Sequence, residues 1–344
     1  MLSQFSQLND KGIFKPCKVD ELSRSQKADA SNLITMVKEK RDGKIKGRAC
    51  ADGRKQRRYI NRDDVSSPTV QLESLMISLL IDTHEQREVA TADVIGAYLL
   101  ANMDDFVLVK INGTAVDIMC KVNATFKEYV CIEKGKKALY LQLTKALYGC
   151  IQPALLLCET FKGCLMNMGF QINPYDPCVA NKIIDNHQCT ICWYVDDTKI
   201  SHHDSKVIDE VISSIENKFG KMTVTRGCKH TFIGVGIEFT KTGTVILSMD
   251  EYIDECTMIY QRENKKSAAT PAKGTLFDED KGKHVIELSD DEAERFHHTT
   301  AKLLYASKRV RINIDLAVSF LCTRVSVPTV GDKIDTSVII PGKY

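Results

Sequence analysis

Two adjacent aspartates, Asp196 and Asp197, interrupt the largely apolar stretch Cys192-Trp193-Tyr194-Val195-Asp196-Asp197-Thr198-Lys199-Ile200. The pattern predicts a strand over 190–195, a second over 198–201, and both carboxylates at the hairpin tip between them. Turn chemistry by itself accounts for aspartate at such a tip. A strand as apolar as 190–195 belongs in a core, however. That sets the two carboxylates at the edge of a buried sheet, where they repel unless a cation lies between them. A second apolar strand, over 88–94, ends in a lone carboxylate, Asp93, and Tyr98 follows five residues on. If the two strands are neighbours, Asp93, Asp196 and Asp197 form one cluster. Three such carboxylates can hold two divalent ions about 3.5–4 Å apart, an arrangement that stabilises the attacking and leaving oxygens of phosphoryl transfer. Hard oxygen donors without a nearby histidine favour magnesium or manganese over zinc.

The elements that must position this cluster are legible as periodicities. A helical stripe of Leu72, Leu75, Met76, Leu79 and Leu80 predicts a helix over 70–84, and 106–111 reads as a strand. A helix over 153–168 has Pro153 in its first turn and Gly169 just past its end. Val207, Ile208, Val211, Ile212, Ile215 and Phe219 mark an amphipathic helix that Gly220 stops. Segments 232–239 and 244–247 read as a hairpin around Thr242-Gly243, and Ser248 with Glu251 as a capping box opening a helix to about 260. The polar segment 265–291, with Pro271, Gly274 and Gly282, reads as a linker. Helices are expected over 292–309 and 314–323, and the sequence past Pro328 shows no periodicity. At the other end, 1–30 is polar, with Gly12 and Pro16 interrupting any long helix.

A chain of 344 residues that is 43% apolar and 27% charged is expected to fold, as about two units. No uncharged apolar run approaches the roughly 18 residues of a membrane span, and 1–16 carries no apolar signal core. The expected setting is therefore intracellular and cytoplasmic. The thirteen cysteines are odd in number and scattered; the one C-x-x-C pair, Cys189 and Cys192, reads as strand residues in a reducing compartment. The net charge is only +2, but ten basic residues from Lys38 to Arg58 face three acids, so this stretch carries +7 and the rest of the chain −5. Such a block suits a polyanion such as a nucleic-acid backbone or a triphosphate, and equally a solvated charged hairpin around Asp42-Gly43.

Tyr194-Val195-Asp196-Asp197 at a hairpin tip, preceded by Asp93 and Tyr98, resembles the palm of a reverse transcriptase. The copia-type (pseudovirus) LTR-retrotransposon family, whose enzyme is a segment of a Pol polyprotein, fits best. Lys46-Gly47-Arg48-Ala49-Cys50-Ala51-Asp52-Gly53 resembles its basic fingers motif, and LTKALYGCIQ at 143–152 its LxKALYGLKQ motif. Gly169-Phe170 with Asp176-Pro177-Cys178-Val179 resembles its GF and DPCLF segments. Phe232-Ile233-Gly234 resembles its FLG segment, where the primer strand is gripped. Ala301-Lys302-Leu303-Leu304-Tyr305, with the stretch from Arg309 to Ala317, resembles the segment just after the polymerase. The resemblance covers about residues 1–325.

The resemblance implies an α+β, right-hand polymerase-like fold. Its fingers and palm carry an antiparallel palm sheet with the YVDD hairpin, and a partial thumb or connection follows. The implied division is a lead-in over 1–35, fingers and palm over 36–265, a linker over 266–291, thumb- or connection-like helices over 292–325, and an atypical tail over 326–344. It further implies RNA-directed DNA polymerase activity, a nucleotidyl transfer from a deoxynucleoside triphosphate to a primer 3′-hydroxyl. Asp93, Asp196 and Asp197 match the family's ligands for two Mg2+ or Mn2+ ions. Lys46 and Arg48 would contact the triphosphate, Gln152 would line the nucleotide pocket near the template base, and Tyr194 and Val195 would pack beside the primer terminus. Tyr98 matches the residue that excludes a 2′-hydroxyl, with ordinary core packing as its other role. Implied partners are an RNA or DNA template–primer, deoxynucleotides, and other Pol segments such as RNase H and integrase; virus-like particles would be the setting of an active element. No protease, zinc-knuckle or integrase signature is visible, and a usual RNase H domain does not fit after 325. The chain is thus expected to be a polymerase-region fragment of a larger polyprotein or a truncated reading frame. The family usually has Lys before the glutamine, where this chain has Ile151, and often Arg and Trp where it has Leu155 and Leu157; Pro153 replaces a small residue. These departures keep open an alternative, a catalytically silent or domesticated remnant that binds nucleic acid. A metal-dependent hydrolase using the same aspartates leaves the basic stretch and LTKALYGCIQ unexplained.

Overall fold

A computed structural model of the chain describes residues 1–39, 43, 45–58, 66–94, 102–103, 105–259, 270–272, 274, 276–277 and 286–339, without the side chains of 38, 46, 58, 257–259, 335 and 337–339. It divides into two units, Met1–Arg226 and Gly227–Tyr344. The polar start of the first unit breaks into short pieces, as Gly12 and Pro16 require. Helix α1 (Leu2–Asp10) buries Phe5 and Leu8, strand β1 (Phe14–Cys17) follows, and Ser23 closes a capping box on α2 (Arg24–Asp29). Pro16 is tolerated because β1 is an edge strand, paired only with β7 (Lys136–Leu143).

The first sheet of this unit runs β1-β7-β5-β2-β3, where β2 is Ser31–Glu39, β3 Ile45–Ala51 and β5 Leu108–Asn112; β6 (Cys131–Glu133) lies alongside β7. Helices α1 and α4 (Thr114–Val122) contribute Phe5, Leu8, Val116 and Met119 to a core shared with Val109, Ile111, Leu139 and Leu141 of the sheet. The basic fingers motif lies on β3, antiparallel to β2, so its register is set by the 31–51 hairpin.

The second sheet carries the aspartates. Its order is β12-β4-β11-β10-β9-β8, all antiparallel. Here β4 is Glu88–Val94, β8 Gln171–Ile172, β9 Val179–Ile184, β10 His187–Tyr194, β11 Asp197–His202 and β12 Met222–Arg226. Val89, Ala90 and Ala92 of β4 are all buried, as expected of a central strand covered on both faces. One cover is α3 (Leu72–His84), whose Asp82 and Ser78 meet Lys199 of β11. On the other face, Trp193 of β10 packs edge-on against Phe161 of α5 (Pro153–Asn167), ring centroids 5.4 Å apart, and Phe161 meets Phe219 of α6 (Ser205–Phe219) at 5.5 Å. Each such aromatic pair adds about 0.5–1.5 kcal/mol beyond its buried area. Pro153 occupies the first turn of α5, and Gly169 follows its end in the left-handed region, φ 84°. All thirteen cysteines are free. Cys189 and Cys192 are both buried and, an odd number of positions apart on β10, point to opposite faces, so they form no ligand pair.

The second unit holds a three-stranded antiparallel sheet, β13 (Lys229–Phe232), β14 (Val235–Phe239) and β15 (Val245–Ser248), and helices α7 (Asp250–Ile259), α8 (Asp290–Ser307), α9 (Asp315–Thr323) and α10 (Val330–Ile339). Phe296, Leu303, Ile314, Val318 and Leu321 form its core. Three expectations need correction here. Segment 232–239 is two strands, broken by a tight turn at Ile233-Gly234. Ser248 pairs with Gly236 in the ladder, and α7 begins at Asp250, so Met249 rather than Ser248 precedes its first residue. The stretch past Pro328 contains α10, opened by a reciprocal cap in which the Asp332 carboxylate accepts from the Thr329 N–H at 2.8 Å and Thr329 Oγ1 accepts from the Asp332 N–H at 3.3 Å. Much of the expected linker falls outside the described residues. Among the described residues no helix is long and apolar enough to cross a membrane.

Candidate active site

The ladder between β4 and β11 pairs Asp93 directly with Asp197, so both side chains leave the same face at the same sheet edge. Asp196 is in the turn beyond, and that turn is tied back to β4 by the Val94 N–H, which donates to the Asp196 carbonyl at 3.2 Å. The backbone thus sets Asp93 and Asp197 side by side, with Asp196 in the adjoining turn. Their electrostatics agree. Asp197 is pushed up to about 6, first by burial and then by Asp196 and Asp93, the effect of burying a carboxylate beside like charges. Among the described residues no three His, Cys, Asp or Glu side chains converge as a finished ligand set.

The turn itself is strained. Tyr194 and Asp197 close the ladder, and Val195, the first residue between them, has φ 59°. A positive φ at that position alone is the type II′ pattern, which ordinarily requires glycine. A β-branched residue there is an outlier costing roughly 1–3 kcal/mol, of the kind that concentrates at functional sites. Tyr194 is exposed, while Trp193 before it is buried.

Below the aspartates on the same face lies a charge pair that the sequence reading did not foresee. Lys199, fully buried, forms an ion pair with Asp82 and donates to Ser78 Oγ at 2.9 Å; Arg87, itself nearly buried, approaches Asp82 to 3.9 Å and donates to Thr190 Oγ1 at 3.1 Å. This network pins α3 to the strands that carry the carboxylates. Asp176, from the Asp-Pro-Cys motif, proves to be a fastener too. Its Oδ2 accepts from the Gln71 N–H at 2.9 Å at the start of α3, and its Oδ1 from the Cys178 N–H at 2.9 Å.

The LTKALYGCIQ motif forms the joint between the two sheets. The Ala51 N–H donates to the Tyr148 carbonyl at 2.7 Å. Gly149, φ 87°, comes so close to Ala51 that a Cβ on it would lie 2.1 Å from the Ala51 oxygen. No other residue fits there. Gln56, fully buried, reaches across to the same joint, its Oε1 accepting from the Ile151 N–H at 2.9 Å. The Tyr148 hydroxyl is pushed up by burial and by Asp196, Arg48 partly opposing and Asp93 adding to it. Tyr148 therefore feels the charges of Asp196, Arg48 and Asp93, which a tyrosine inside a packed motif does not signal in sequence.

Gln152 precedes α5 and donates from Nε2 to Asp105 Oδ2 at 2.9 Å. Arg48 is exposed on β3, paired with Met36. Lys46 is on the same strand, its side chain outside the described residues, as is the whole of Tyr98. Of the remaining basic residues, Arg54 is clamped by Asp52 through 2.9 and 2.7 Å bonds, holding Asp52 at about 2. Lys55 donates to the Ala28 and Ala30 carbonyls at 2.8 Å each. Lys55 is thus spent on the end of α2, whereas the Arg54 side chain, 81% exposed, remains open to solvent beside Asp52. The departures near Gln152 are absorbed by the fold: Pro153 takes the first helical turn and Leu157 is buried core.

A family model described as reverse transcriptase (RNA-dependent DNA polymerase) matches residues 18–273. The chain is 24% identical over 281 residues to the Retrovirus-related Pol polyprotein from transposon TNT 1-94 of Nicotiana tabacum, covering 80% of this chain and 20% of that protein. It is 21% identical over 311 residues to the Transposon Ty1-NL2 Gag-Pol polyprotein of Saccharomyces cerevisiae, covering 87% and 16%. The chain spans a fifth or less of the length of these relatives. Among solved structures it is similar to the foamy viral protease-reverse transcriptase in complex with RNA/DNA hybrid, with a TM-score of 0.47, 13% identity, and coverage of 97% of this chain and 35% of that one.

Proposed function

The chain belongs to the reverse transcriptase (RNA-dependent DNA polymerase) family, and from that premise we propose that it is the polymerase segment of a copia-type transposon Pol polyprotein. It would add deoxynucleotides to a primer 3′-hydroxyl on an RNA or DNA template. The observation that carries this reading is the pairing of Asp93 with Asp197 beneath the Asp196 turn. The donor set is all carboxylate oxygen and mutually repulsive, which suits hard divalent cations, Mg2+ or Mn2+. Asp93, Asp196 and Asp197 would hold two of them. Such ions, when bound, offset the charge that builds on the attacking and leaving oxygens of nucleotidyl transfer.

The chain's own side chains complete the site. Lys46 and Arg48 on β3 would neutralise the triphosphate as charge builds on the leaving group. Gln152, its amide oriented by Asp105, would face the nucleotide beside the template base. Tyr194 and Val195 would pack against the primer terminus, the strained Val195 peptide fixing where the Asp196 carboxylate starts. Tyr148 would border the carboxylates, and Tyr98 would exclude a 2′-hydroxyl. In this reading 36–265 are fingers and palm, 266–291 a linker, 292–325 thumb- or connection-like helices and 326–344 a tail. RNase H and integrase segments of a longer polyprotein would be partners, and the setting would be cytoplasmic. Asp93→Ala tests it: primer extension is expected to vanish while duplex binding is kept and the protein is no less stable than the unmodified chain. Extension surviving that change would refute the reading.

A further inference from the structure

The match to the polymerase family ends at residue 273, yet a contact from beyond that point reaches a polymerase motif. The turn between β13 and β14 has two central residues, Ile233 and Gly234, with φ 46° and 77°. Both values positive is the type I′ pattern, for which Asn-Gly is the usual solution. Isoleucine is β-branched, and in the left-handed region it is a steric outlier that persists only where its surroundings over-determine it.

Those surroundings come from the last turn of α8 and the residues after it. Tyr305 Oη donates to the Ile233 carbonyl at 3.0 Å, and a Cβ on Gly234 would lie 3.3 Å from the same hydroxyl. The Tyr305 ring is fixed in turn. The Arg309 guanidinium stacks on it, Cζ 3.5 Å from the centroid, and Nη1 donates to the Tyr305 carbonyl at 3.2 Å. Tyr252 of α7 packs on the ring at 5.3 Å. Phe232 and Val235, which flank the turn, are both buried, so the hairpin cannot swing as a whole.

We infer that Tyr305, braced by Arg309, is a positioning residue that holds the Ile233-Gly234 turn in shape for a primer strand. The inference rests on the polymerase reading above. Because a trans peptide is planar, anchoring the Ile233 carbonyl also fixes the Gly234 N–H, which points the opposite way from the same plane. A backbone N–H held in place is a donor suited to a phosphodiester oxygen, the contact that sets the register of a nucleic-acid strand without reading its sequence. The segment 290–309 is then a working part of the polymerase rather than a connection to whatever follows.

The test is Tyr305→Phe, which removes one hydroxyl and keeps the stacked ring, beside Arg309→Met, which removes the brace. Each is compared with the unmodified chain in three measurements: steady-state extension of a primed RNA, affinity for that primer–template against a blunt duplex of equal length, and amide hydrogen exchange. Loss of one hydrogen bond corresponds to roughly five-fold in an equilibrium. Both variants are expected to raise the KM for primer–template about five-fold with kcat and the deoxynucleotide KM nearly unchanged. They should also speed exchange at 232–236 and leave blunt-duplex affinity alone, with melting temperature lowered by no more than the few degrees one hydrogen bond is worth. Unchanged exchange at 232–236 would overturn the inference, as would faster exchange with no change in primer affinity. A drop in melting temperature that lowers every activity alike would mark a purely structural role. If the unmodified chain extends no primer, the polymerase reading itself fails, while exchange and primer–template binding still decide whether Tyr305 holds the turn.

Discussion

Replacing Asp197 by asparagine is expected to stabilise the metal-free protein, and to do so only above mildly acidic pH. Asp197 ionises near 6 rather than near 4 because burial and the neighbouring Asp196 and Asp93 disfavour its charge. A raised carboxyl pKa means the folded state holds its proton more tightly than the unfolded chain does. Ionisation therefore costs stability: nothing below about pH 4, progressively more between 4 and 6, and a constant amount above. Two units correspond to about 3 kcal/mol at most, and the half-exposed position of Asp197 screens this to about 1 kcal/mol. For the unit Met1–Arg226 that carries Asp197, this is about 2–4 °C in Tm. Thermal unfolding in the presence of a chelator should show Asp197→Asn matching the unmodified chain at pH 4 and exceeding it by that margin at pH 8. A difference independent of pH, or a variant less stable at pH 8, would refute the electrostatic reading of the three carboxylates.

Val195→Gly should relieve the left-handed backbone at the turn and raise stability by roughly 1 kcal/mol in urea unfolding, while slowing extension because the turn no longer fixes Asp196. Lys199→Met leaves the Asp82 carboxylate buried and should cost about 3–5 kcal/mol, most of it recovered by adding Asp82→Leu; equal losses in the single and double variants would show the ion pair to be incidental. Thr329→Ala removes the cap of α10 and should lower stability by about 1 kcal/mol, with faster amide exchange confined to 330–339.

The elements that carry the aspartates were legible because each has one dominant pattern. Strand 88–94 reproduces its sequence reading residue for residue, and the stripe from Val207 to Phe219 is the buried face of α6. What could not be read was set by distant partners. Nothing near Lys199 announces Asp82, and nothing near Lys55 tells that it is spent on carbonyls of the α2 end. Segment 232–239 reads as one strand because its turn uses Ile-Gly, which lacks the Asn-Gly signature and is held by Tyr305 from far along the chain. α10 is hard to read although Thr329-x-x-Asp332 is a capping signature, since the residues buried there, Thr329, Asp332 and Thr336, are polar while Val330 and Ile334 are exposed. The motifs around Gly149 and Asp176 resemble family segments, and their physical reasons lie in the close approach to Ala51 and the bond to Gln71.

The most direct measurement is single-turnover incorporation of a deoxynucleotide on a primed homopolymer RNA, with and without magnesium, comparing the unmodified chain with Asp196→Ala. Magnesium-dependent extension by the former, lost in the latter while it still binds the duplex, is the expected result. Equal incorporation by both, or none by a folded, duplex-binding unmodified chain, would contradict the assignment of Asp93, Asp196 and Asp197 as the catalytic centre of a working polymerase.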